Sequence, residues 1–309
     1  MIKRTLYFGN PAYLRTQNEQ LIITIPDTGA GLSEKDRSNL VPIEDIGVVI
    51  LDHQQITISQ ALIAKLLDNK VALITCDATH HPTGLMLNLD GNTLQAERFA
   101  EQISASLPLR KNLWMQTVEQ KIKNQAAVLF SNKTGDYELL IQMSKQVRSG
   151  DPDNFEGRAA AQYWKYIFGE ESKFTRDREG DSPNHLLNYG YAILRAITAR
   201  ALVGSGLLPT LGIHHRNKYN AYCLADDIME PYRPFVDQLV CNIMNEFDPL
   251  PEILNKELKS RLLSIPVLDV FIAGERSPLM IAMQRTTASL YKCFSGESNK
   301  IIYPILPIN

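Results

Sequence analysis

Two adjacent histidines and three carboxylates lie within one short stretch, and these residue types are the best suited to chemistry. His214 and His215 come first, and Asp226, Asp227 and Glu230 follow in a segment with helical character. On a helix, Asp227 and Glu230 share a face because they lie one turn apart. The polar segment RNKYN predicts a loop that lets the histidines approach the carboxylates. Imidazole and carboxylate together suit Mg²⁺ or Mn²⁺ better than a thiolate zinc site does.

Two prolines follow directly after charged residues of this segment. Pro231 comes after Glu230, and Pro234 comes after Arg233. Each proline lacks the N–H that the carbonyl four residues earlier would accept, so we expect a kink or a helix that restarts at Pro231. Arg233 lies one turn beyond Glu230, where it could neutralise that glutamate or hold a phosphate.

A further carboxylate lies near the start of another predicted helix. In NFEGRAAAQYWKYIF, Asp153 or Asn154 can cap the helix, which places Glu156 in the first turn. The helix dipole alone favours a glutamate at that position. The alternative is a buried ligand, because the alanines at 159–161 allow a neighbouring helix to approach closely.

A polar stripe runs along a third predicted helix. Its members are spaced by four, three and four residues and therefore share one face: Asn184, Asn188, Tyr191 and Arg195. From this spacing alone, the stripe is either a satisfied internal network or a row that faces a substrate.

The composition is that of an ordinary globular protein. The chain has 309 residues, 44% of them hydrophobic and 21% charged, which is enough for two domains. The formal net charge of −2 argues against a protein that simply coats nucleic acid. No apolar run reaches the ~20 residues of a membrane span, and the N-terminus has no signal-peptide core. We therefore expect a cytoplasmic protein with no membrane partner.

The character of the predicted elements changes along the chain. Residues 1–92 contain short β-branched runs such as GVVILD and VALITCD, and one helix that Ser59 can cap. Residues 93–309 show long helical periodicity and end in an extended tail. This order predicts an α+β fold, with a small β-rich N-terminal domain, a linker at about 77–96 and a larger all-α C-terminal domain that is catalytic.

Three ordered blocks of the sequence resemble one known family. They are NFEGRAAAQYW, SPNHLLNYGYAILRA and LGIHHRNKYNAYCLADDIMEPYRPFVD. Together they are similar to the CRISPR-associated integrase, the Cas protein designated "one", and most similar to variants that accompany the single-protein (type II) DNA-cleaving effector. The resemblance covers nearly the whole chain.

The resemblance implies a metal-dependent DNA endonuclease and integrase that inserts short foreign DNA fragments, called spacers, into the CRISPR repeat array. It implies Mg²⁺ or Mn²⁺ as the ion, with Glu156, His215 and Glu230 as the metal ligands and catalytic residues. Asp227 matches a second acidic position near the metal, and His214 is the alternative histidine. The implied partners are double-stranded DNA, a second copy of the chain paired through the β-rich domain, and a small partner dimer, the Cas protein designated "two", in a hetero-hexamer.

The proposed reaction is an in-line phosphoryl transfer. When a DNA 3′-hydroxyl attacks a phosphodiester, a cation must stabilise the charge that develops on the phosphate oxygens. No protein nucleophile is required, which agrees with the absence of a GxSxG signature. The residues that we expect to contact DNA or phosphate are Arg195, Arg216, Lys218, Arg233, Tyr163, Tyr191 and Tyr219.

Two other functions remain open at the level of sequence. The segment DDIME, at 226–230, has the DDxxE spacing with which prenyl-diphosphate-type helical enzymes bind diphosphate through Mg²⁺. That function would leave Glu156 and His215 unused and would not require a β-rich domain. A non-catalytic DNA-binding scaffold is the other alternative. It would bind DNA but would not depend on the proposed ligands for DNA joining.

Overall fold

The chain folds into a β-rich unit followed by a largely helical unit, which confirms the predicted α+β class. The computed structural model divides into Met1–Gly91 and Asn92–Asn309. None of the helices in the described part of the chain combines the length and the apolarity that a bilayer crossing requires. The described residues are 3–26, 38–78, 80, 82–169, 171–177, 180, 182–247 and 249–308.

Two four-stranded sheets form the described part of the first unit. Their elements, with one helix, are β1 (Arg4–Phe8), β2 (Ala12–Gln17), β3 (Gln20–Thr24), β4 (Ser38–Pro42), β5 (Ile46–Leu51), β6 (Ile56–Ile58), α1 (Gln60–Asp68), β7 (Ala72–Cys76) and β8 (Pro82–Met86). One sheet has the order β1-β5-β7-β8 and the other β4-β3-β2-β6. In the first sheet, β1, β5 and β7 are parallel and β8 is antiparallel.

Continuous apolar runs build the core of the first unit. Strand β5 reads IGVVIL and is buried over its first five residues, as expected for a parallel strand covered on both faces. The hydroxyl of Ser59 accepts the N–H of Leu62, so the predicted cap of α1 is present. Leu62 and Leu66 of this helix are buried in the same cluster as Val49 and Leu73.

Helices dominate the second unit. They are α2 (Gln95–Ser104), α3 (Leu107–Asn132), α4 (Tyr137–Ser144), α5 (Phe155–Tyr166), α6 (Asn184–Gly204), α7 (Cys223–Met229), α8 (Arg233–Glu246), α9 (Lys256–Leu262) and α10 (Leu279–Phe294). The prediction that this domain is all-α was wrong in one place, where β9 (Asp269–Ile272) pairs with β10 (Glu275–Pro278). The turn residues Ala273 and Gly274 both have positive φ, which suits a two-residue hairpin. Because alanine is not one of the residues preferred at the first position of such a turn, the sequence did not indicate the hairpin.

The predicted linker at about 77–96 is not a simple connection. It contains strand β8, which pairs with β7, and the first residues of helix α2. Strand β8 reads PTGLM, in which proline and glycine weaken the strand pattern, so the sequence alone did not define its bounds.

Helix α3 supports several other elements of the second unit through its side chains, and we call it the platform helix. Ser106 caps it by accepting the N–H of Leu109, and Pro108 lies in its first turn, where its missing N–H costs nothing. Polar side chains are buried along its length, among them Thr117, Lys121 and Asn124. Buried polar groups need partners, so this helix must connect to others through its side chains.

The C-terminal tail supplies some of these partners. The hydroxyls of Tyr303 and Thr117 lie 2.8 Å apart. Asn124 donates to the carbonyl of Pro304 at 3.1 Å and accepts the N–H of Leu306 at 3.1 Å. The tail is therefore an extended arm, as its two prolines predict, and it docks on helix α3 of its own chain.

Candidate metal centre

Glu156 lies in the first turn of α5, whose backbone donors are satisfied by neighbours. The side chain of Asn154 caps the helix, and Asp151 Oδ2 accepts the N–H of Glu156 at 2.9 Å. Of the two predicted caps, Asn154 is the one used, because Asp153 forms a bidentate ion pair with Arg148. The carboxylate of Glu156 is therefore not needed as a cap and can point away from its helix.

Glu230 lies at a break between α7 and α8. A 3₁₀ turn, Glu230–Tyr232, separates these helices, so the kink predicted from the prolines is present. The carbonyl of Asp227 accepts the N–H of Glu230, and the carbonyl of Glu230 accepts the N–H of Arg233. Asn124 of α3 donates to the carbonyl of Pro231 at 2.7 Å. The turn and its glutamate are thus tied to the platform helix.

Asp227 holds the loop that carries the two histidines. Its Oδ2 accepts the N–H of His214 at 2.9 Å, and its Oδ1 accepts the N–H of His215 at 3.3 Å. Oδ1 also lies 2.5 Å from Nδ1 of His215. Gly212 is required nearby, since a Cβ there would clash with the carbonyl of His215 and lie 2.8 Å from Asp227 Oδ2. Asp227 is fully buried and therefore orients the loop.

The two histidines have different environments. His214 stacks on Trp114 with ring centroids 4.1 Å apart and planes within 4°. Burial is the main reason why the pKa of His214 is lowered. The pKa of His215 is raised, chiefly by its hydrogen bond to Asp227. Because Nδ1 of His215 is engaged by a carboxylate, Nε2 is the nitrogen that remains for a metal, an arrangement common among metal-binding histidines.

A lysine lies between the two glutamates. Lys121 Nζ is 2.7 Å from Glu156 Oε1 and 2.6 Å from Glu230 Oε2. Burial alone would lower the pKa of Lys121, but the charges of Glu230 and Glu156 outweigh it and raise the pKa. Burial alone would likewise raise the pKa of Glu230, but Arg233 and Lys121 lower it below its usual value. Both shifts favour the charged forms of Lys121 and Glu230.

The donor set fits a divalent cation, although it is not preassembled. Within the residues that the structure describes, no three His, Cys, Asp or Glu side chains form a ready metal-binding cluster. However, Glu230 Oε2 is buried and makes no aligned hydrogen bond, although the ammonium of Lys121 is close. A buried carboxylate oxygen of this kind is suited to a cation. Two carboxylates and an imidazole are donors that Mg²⁺ and Mn²⁺ accept.

Three of the predicted DNA contacts are exposed on the histidine loop. Arg216 and Lys218 line a cleft of about 480 Å³ that also includes His215. Tyr219 is 84% exposed, and the ammonium of Lys218 lies 4.8 Å from the centre of its ring. Basic groups and an exposed aromatic ring are therefore adjacent to the histidine.

The polar stripe of α6 is an internal network. Asn184 and Asn188 accept hydrogen bonds from Arg176 at 2.9 and 2.7 Å. Tyr191 donates to Asp237 at 2.5 Å. Of the two interpretations that the spacing left open, the structure favours the satisfied network.

Tyr163 and Tyr191 are interior residues in this conformation. Both are buried, and the hydroxyl of Tyr163 donates to Asp237 at 2.8 Å. Burial raises the pKa of Asp237 to about 7, although the hydrogen bonds from the two tyrosines lower it. Neither ring is presented to a DNA partner, in contrast to what we expected from the sequence, because the apolar face of each helix carries it into the core.

The remaining two predicted contacts are ion-paired within the protein. Arg195 donates to Asp226 at 2.7 Å while its side chain stays 43% exposed. Arg233 lies 3.1 Å from Glu230 Oε1 and packs over the ring of Tyr191. Arg195 is thus partly exposed although it is paired, whereas Arg233 neutralises its glutamate.

The DDIME segment does not form a diphosphate site. Asp226 is engaged by Arg195 and Asn220, and Asp227 is engaged by the histidine loop. Glu230 faces Lys121. Because the three carboxylates have separate partners, the prenyl-diphosphate alternative is not supported.

Sequence reasoning missed the contribution of α3. Lys121 and Asn124 contact the glutamates and the 3₁₀ turn, and Trp114 supports the histidines. A signal was present, since Trp114, Thr117, Lys121 and Asn124 are spaced by three, four and three residues and share one face. The same spacing argument was applied to α6 and to the pair Asp227 and Glu230, but not to α3.

Comparisons with known proteins agree on one family. The family model described as CRISPR associated protein Cas1 matches residues 6–264. The CRISPR-associated endonuclease Cas1 of Neisseria meningitidis serogroup C is 35% identical over 97% of this chain and 95% of that protein. Among solved structures, a casposase bound to integration product has a TM-score of 0.78 at 20% identity, covering 97% of this chain and 92% of that chain. A Cas6-RT-Cas1–Cas2 complex has a TM-score of 0.73 at 19% identity, covering 97% of this chain and 36% of that chain.

Proposed function

This chain belongs to the Cas1 family of CRISPR-associated proteins, and from that membership we propose that it is a metal-dependent DNA endonuclease and integrase. It inserts spacers into the CRISPR repeat array by attack of a DNA 3′-hydroxyl on a phosphodiester. The relative from Neisseria carries the name endonuclease and matches almost the whole chain, which supports the activity.

One observation carries the proposal. Asp227 fixes His215 through Nδ1, and the charges of Glu230 and Glu156 are close enough to raise the pKa of that histidine. A histidine oriented by a buried carboxylate, with two further carboxylates near enough to affect its pKa, is typical of a metal centre.

We assign Glu156, His215 and Glu230 as the ligands of one Mg²⁺ or Mn²⁺ ion. When bound, the ion would stabilise the charge that develops on the phosphate and leaving-group oxygens. His215 is preferred over His214 because its Nδ1 is engaged and its Nε2 is left over, whereas His214 is stacked on Trp114. Asp227 then serves to orient His215 and not as a ligand.

Other residues of this chain bind and orient the DNA. Arg216 and Lys218 hold phosphates in the cleft beside His215, and Tyr219 stacks on an unpaired base. Arg195 contributes a further phosphate contact from the edge of the site. The net charge of −2 means that this local basic patch, and not the field of the whole protein, attracts the DNA.

The partners follow from the family. The substrates are a double-stranded spacer fragment and the repeat DNA. The similar fold found in a Cas6-RT-Cas1–Cas2 complex supports a partner protein of the Cas2 type. We further propose that two copies of this chain pair through the β-rich unit and that two such dimers flank a small partner dimer, giving a hetero-hexamer.

A strand-joining assay tests the function. The protein, its small partner, a spacer with 3′-hydroxyl ends and repeat-containing DNA are mixed with Mg²⁺ or Mn²⁺, and joined product is measured beside DNA binding. Glu156→Gln and Glu230→Gln should each lower joining by at least about 100-fold while DNA binding is retained. EDTA should abolish joining by the wild type. Undiminished joining by both variants would instead favour a scaffold without catalytic function.

A further inference from the structure

A buried ammonium group lies between two of the proposed metal ligands. Nζ of Lys121 contacts Glu156 at 2.7 Å and Glu230 at 2.6 Å, and the lysine side chain is only 10% exposed. The two glutamates belong to different elements, the first turn of α5 and the 3₁₀ turn before α8. The lysine belongs to a third element, the platform helix α3.

We propose that Lys121 is a positioning residue that competes with the divalent cation. Its ammonium holds Glu156 and Glu230 together while no ion is bound, and it withdraws from between them when the ion binds. This inference rests on the proposed function, because it takes these two glutamates as metal ligands.

Charge balance is the first argument. Glu230 is buried and Glu156 is partly buried, so two carboxylates that share one ammonium would repel each other if no cation were present. Lys121 supplies one positive charge in contact with both. Arg233 does not fill this role, because of the two glutamates it forms an ion pair with Glu230, through Oε1, and not with Glu156.

The geometry of the contacts is the second argument. Lys121 donates a hydrogen bond to Glu156 at 2.7 Å, but Glu230 Oε2 remains without an aligned hydrogen bond. The ammonium is nevertheless only 2.6 Å from that oxygen, so it lies in contact with both carboxylates at once. An ion coordinated by both glutamates would therefore have to take the place of the ammonium.

The chemistry of lysine is the third argument. Its ammonium is a compact charge on a flexible four-carbon stem, so it can leave without moving helix α3. An arginine would be held by its planar fork in a fixed geometry. With the stem free to move, the lysine can keep the ligands in place in the metal-free protein and release them to an ion of higher charge.

The consequence is a lower affinity of the site for the divalent ion. The ion must displace an internal cation, so it binds more weakly than it would to the same ligands without Lys121. In exchange, the metal-free protein stays folded with both carboxylates neutralised. Removing the lysine charge should thus tighten metal binding and destabilise the metal-free state.

The test measures Mn²⁺ binding directly. The full-length wild type and Lys121→Met are titrated with Mn²⁺ and followed by electron paramagnetic resonance of the free ion. We expect the Kd of Lys121→Met to be lower by at least about tenfold. Thermal unfolding is recorded in parallel. Without metal the variant should melt below the wild type, and saturating Mn²⁺ should raise its melting temperature by more.

Lys123→Met is the matched control. This lysine lies on the same helix, two residues further on, and pairs with Glu119 at the surface. Its removal takes away the same charge without touching either proposed ligand. It should leave the Kd for Mn²⁺ within about twofold of the wild type.

The outcomes separate this inference from the proposed function. If the wild type binds no Mn²⁺, the proposed metal centre itself is wrong. If the wild type binds Mn²⁺ but Lys121→Met binds it equally well or more weakly, only the role of Lys121 is wrong. If Lys121→Met fails to fold, Lys121→Gln is folded with saturating Mn²⁺. Its melting temperature is then measured before and after the ion is removed with chelator. Failure of both to fold with Mn²⁺ present would also overturn the proposal, because the ion should replace the ammonium.

Discussion

The carboxylate that orients the histidine is the most informative residue of the site. Asp227 accepts two backbone N–H groups of the histidine loop and contacts the ring of His215. Its carboxylate is therefore committed to positioning. We therefore propose different roles for the two adjacent histidines, since Asp227 engages Nδ1 of His215 and leaves its Nε2 for an ion. His214 is held flat against Trp114.

Replacement of the two histidines one at a time should separate their roles. His215→Ala should lower strand joining by at least about 100-fold, because a metal ligand is lost. His214→Ala should remain within about tenfold of the wild type, because only a stacking contact is removed. Rates of strand joining at saturating Mn²⁺ measure both. The reverse ranking would assign the ligand to His214.

Loss of the orienting carboxylate should act through metal affinity. Asp227→Asn keeps the size of the side chain but cannot accept all the hydrogen bonds that hold the loop and the ring. Substitutions behind a metal ligand typically cost 10- to 100-fold in affinity or activity. We expect the Kd for Mn²⁺ to rise by about that factor, measured by titration, with joining partly restored at high Mn²⁺. An unchanged Kd would show that His215 is not a ligand.

Among the elements, helix α3 determines how the others meet. Asn124 binds the 3₁₀ turn that carries Glu230 and also binds the C-terminal tail. Lys121 reaches the first turn of α5. The site is therefore assembled by side chains of one long helix, which contact the ends of other elements and not their middles.

The tyrosine–aspartate network between α5, α6 and α8 should make stability depend on pH. Asp237 has its pKa raised from 3.8 to about 7, mainly by burial. The folded protein therefore holds this proton more tightly than the unfolded chain does. Its contribution to stability is complete below about pH 4 and is lost as the pH rises toward 7. The size of the change is on the order of a few kcal/mol.

Asp237→Asn provides the comparison, because an amide has no charge to titrate. We expect the free energy of unfolding of the wild type, relative to that of the variant, to fall between about pH 5 and about pH 8. Urea unfolding at the two pH values measures it. The variant also alters hydrogen bonds to Tyr163 and Tyr191, but that cost is the same at both pH values. A difference that does not change with pH would rule out ionisation of Asp237 in this range.

Patterns within single elements predicted the fold well, whereas contacts between elements did not follow from them. The helical periodicity of α6, the Ser59 cap and the kink at Pro231 are local signals, and each is present in the structure. The hairpin β9–β10 was missed because its strands have four residues each and its turn is Ala-Gly. The polar spacing along α3 marks Lys121 as a residue to consider, but nothing in that segment reveals which carboxylates it contacts.

The sequence also predicted candidate metal ligands, but it could not predict which of them lie close together in the fold. Glu156 and Glu230 are separated by more than seventy residues, and only the fold brings them to one ammonium group. Exposure could not be predicted either, since Tyr163 and Tyr191 are buried and Tyr219 is not. Polar residues on an apolar helix can face a substrate or the interior, and the tertiary packing decides between them.

At the scale of the whole molecule, a nearly neutral protein must bind a polyanion. The net charge of −2 gives no general attraction for DNA. Binding must instead come from basic residues concentrated near the site, and Arg216 and Lys218 line the cleft beside His215. The salt dependence of DNA binding reports how many such contacts form.

The double variant Arg216→Ala/Lys218→Ala should therefore weaken DNA binding and flatten its salt dependence. Each lost phosphate contact lowers the slope of log K against log salt concentration by about one, so a decrease of about two is expected. Fluorescence anisotropy over a range of salt concentrations measures it. Lys123→Ala, on the surface of α3, is the control and should leave the slope unchanged. An unchanged slope in the double variant would place the DNA path elsewhere.

We propose that Glu156, His215 and Glu230, from distant parts of the chain, together hold one ion that contacts the phosphate. Crystals of the protein soaked in Mn²⁺ and measured for anomalous scattering test it most directly. We expect a strong peak about 2.1 Å from a carboxylate oxygen of Glu156, a carboxylate oxygen of Glu230 and Nε2 of His215. A peak bound by other residues, or no peak at saturating Mn²⁺, would contradict it.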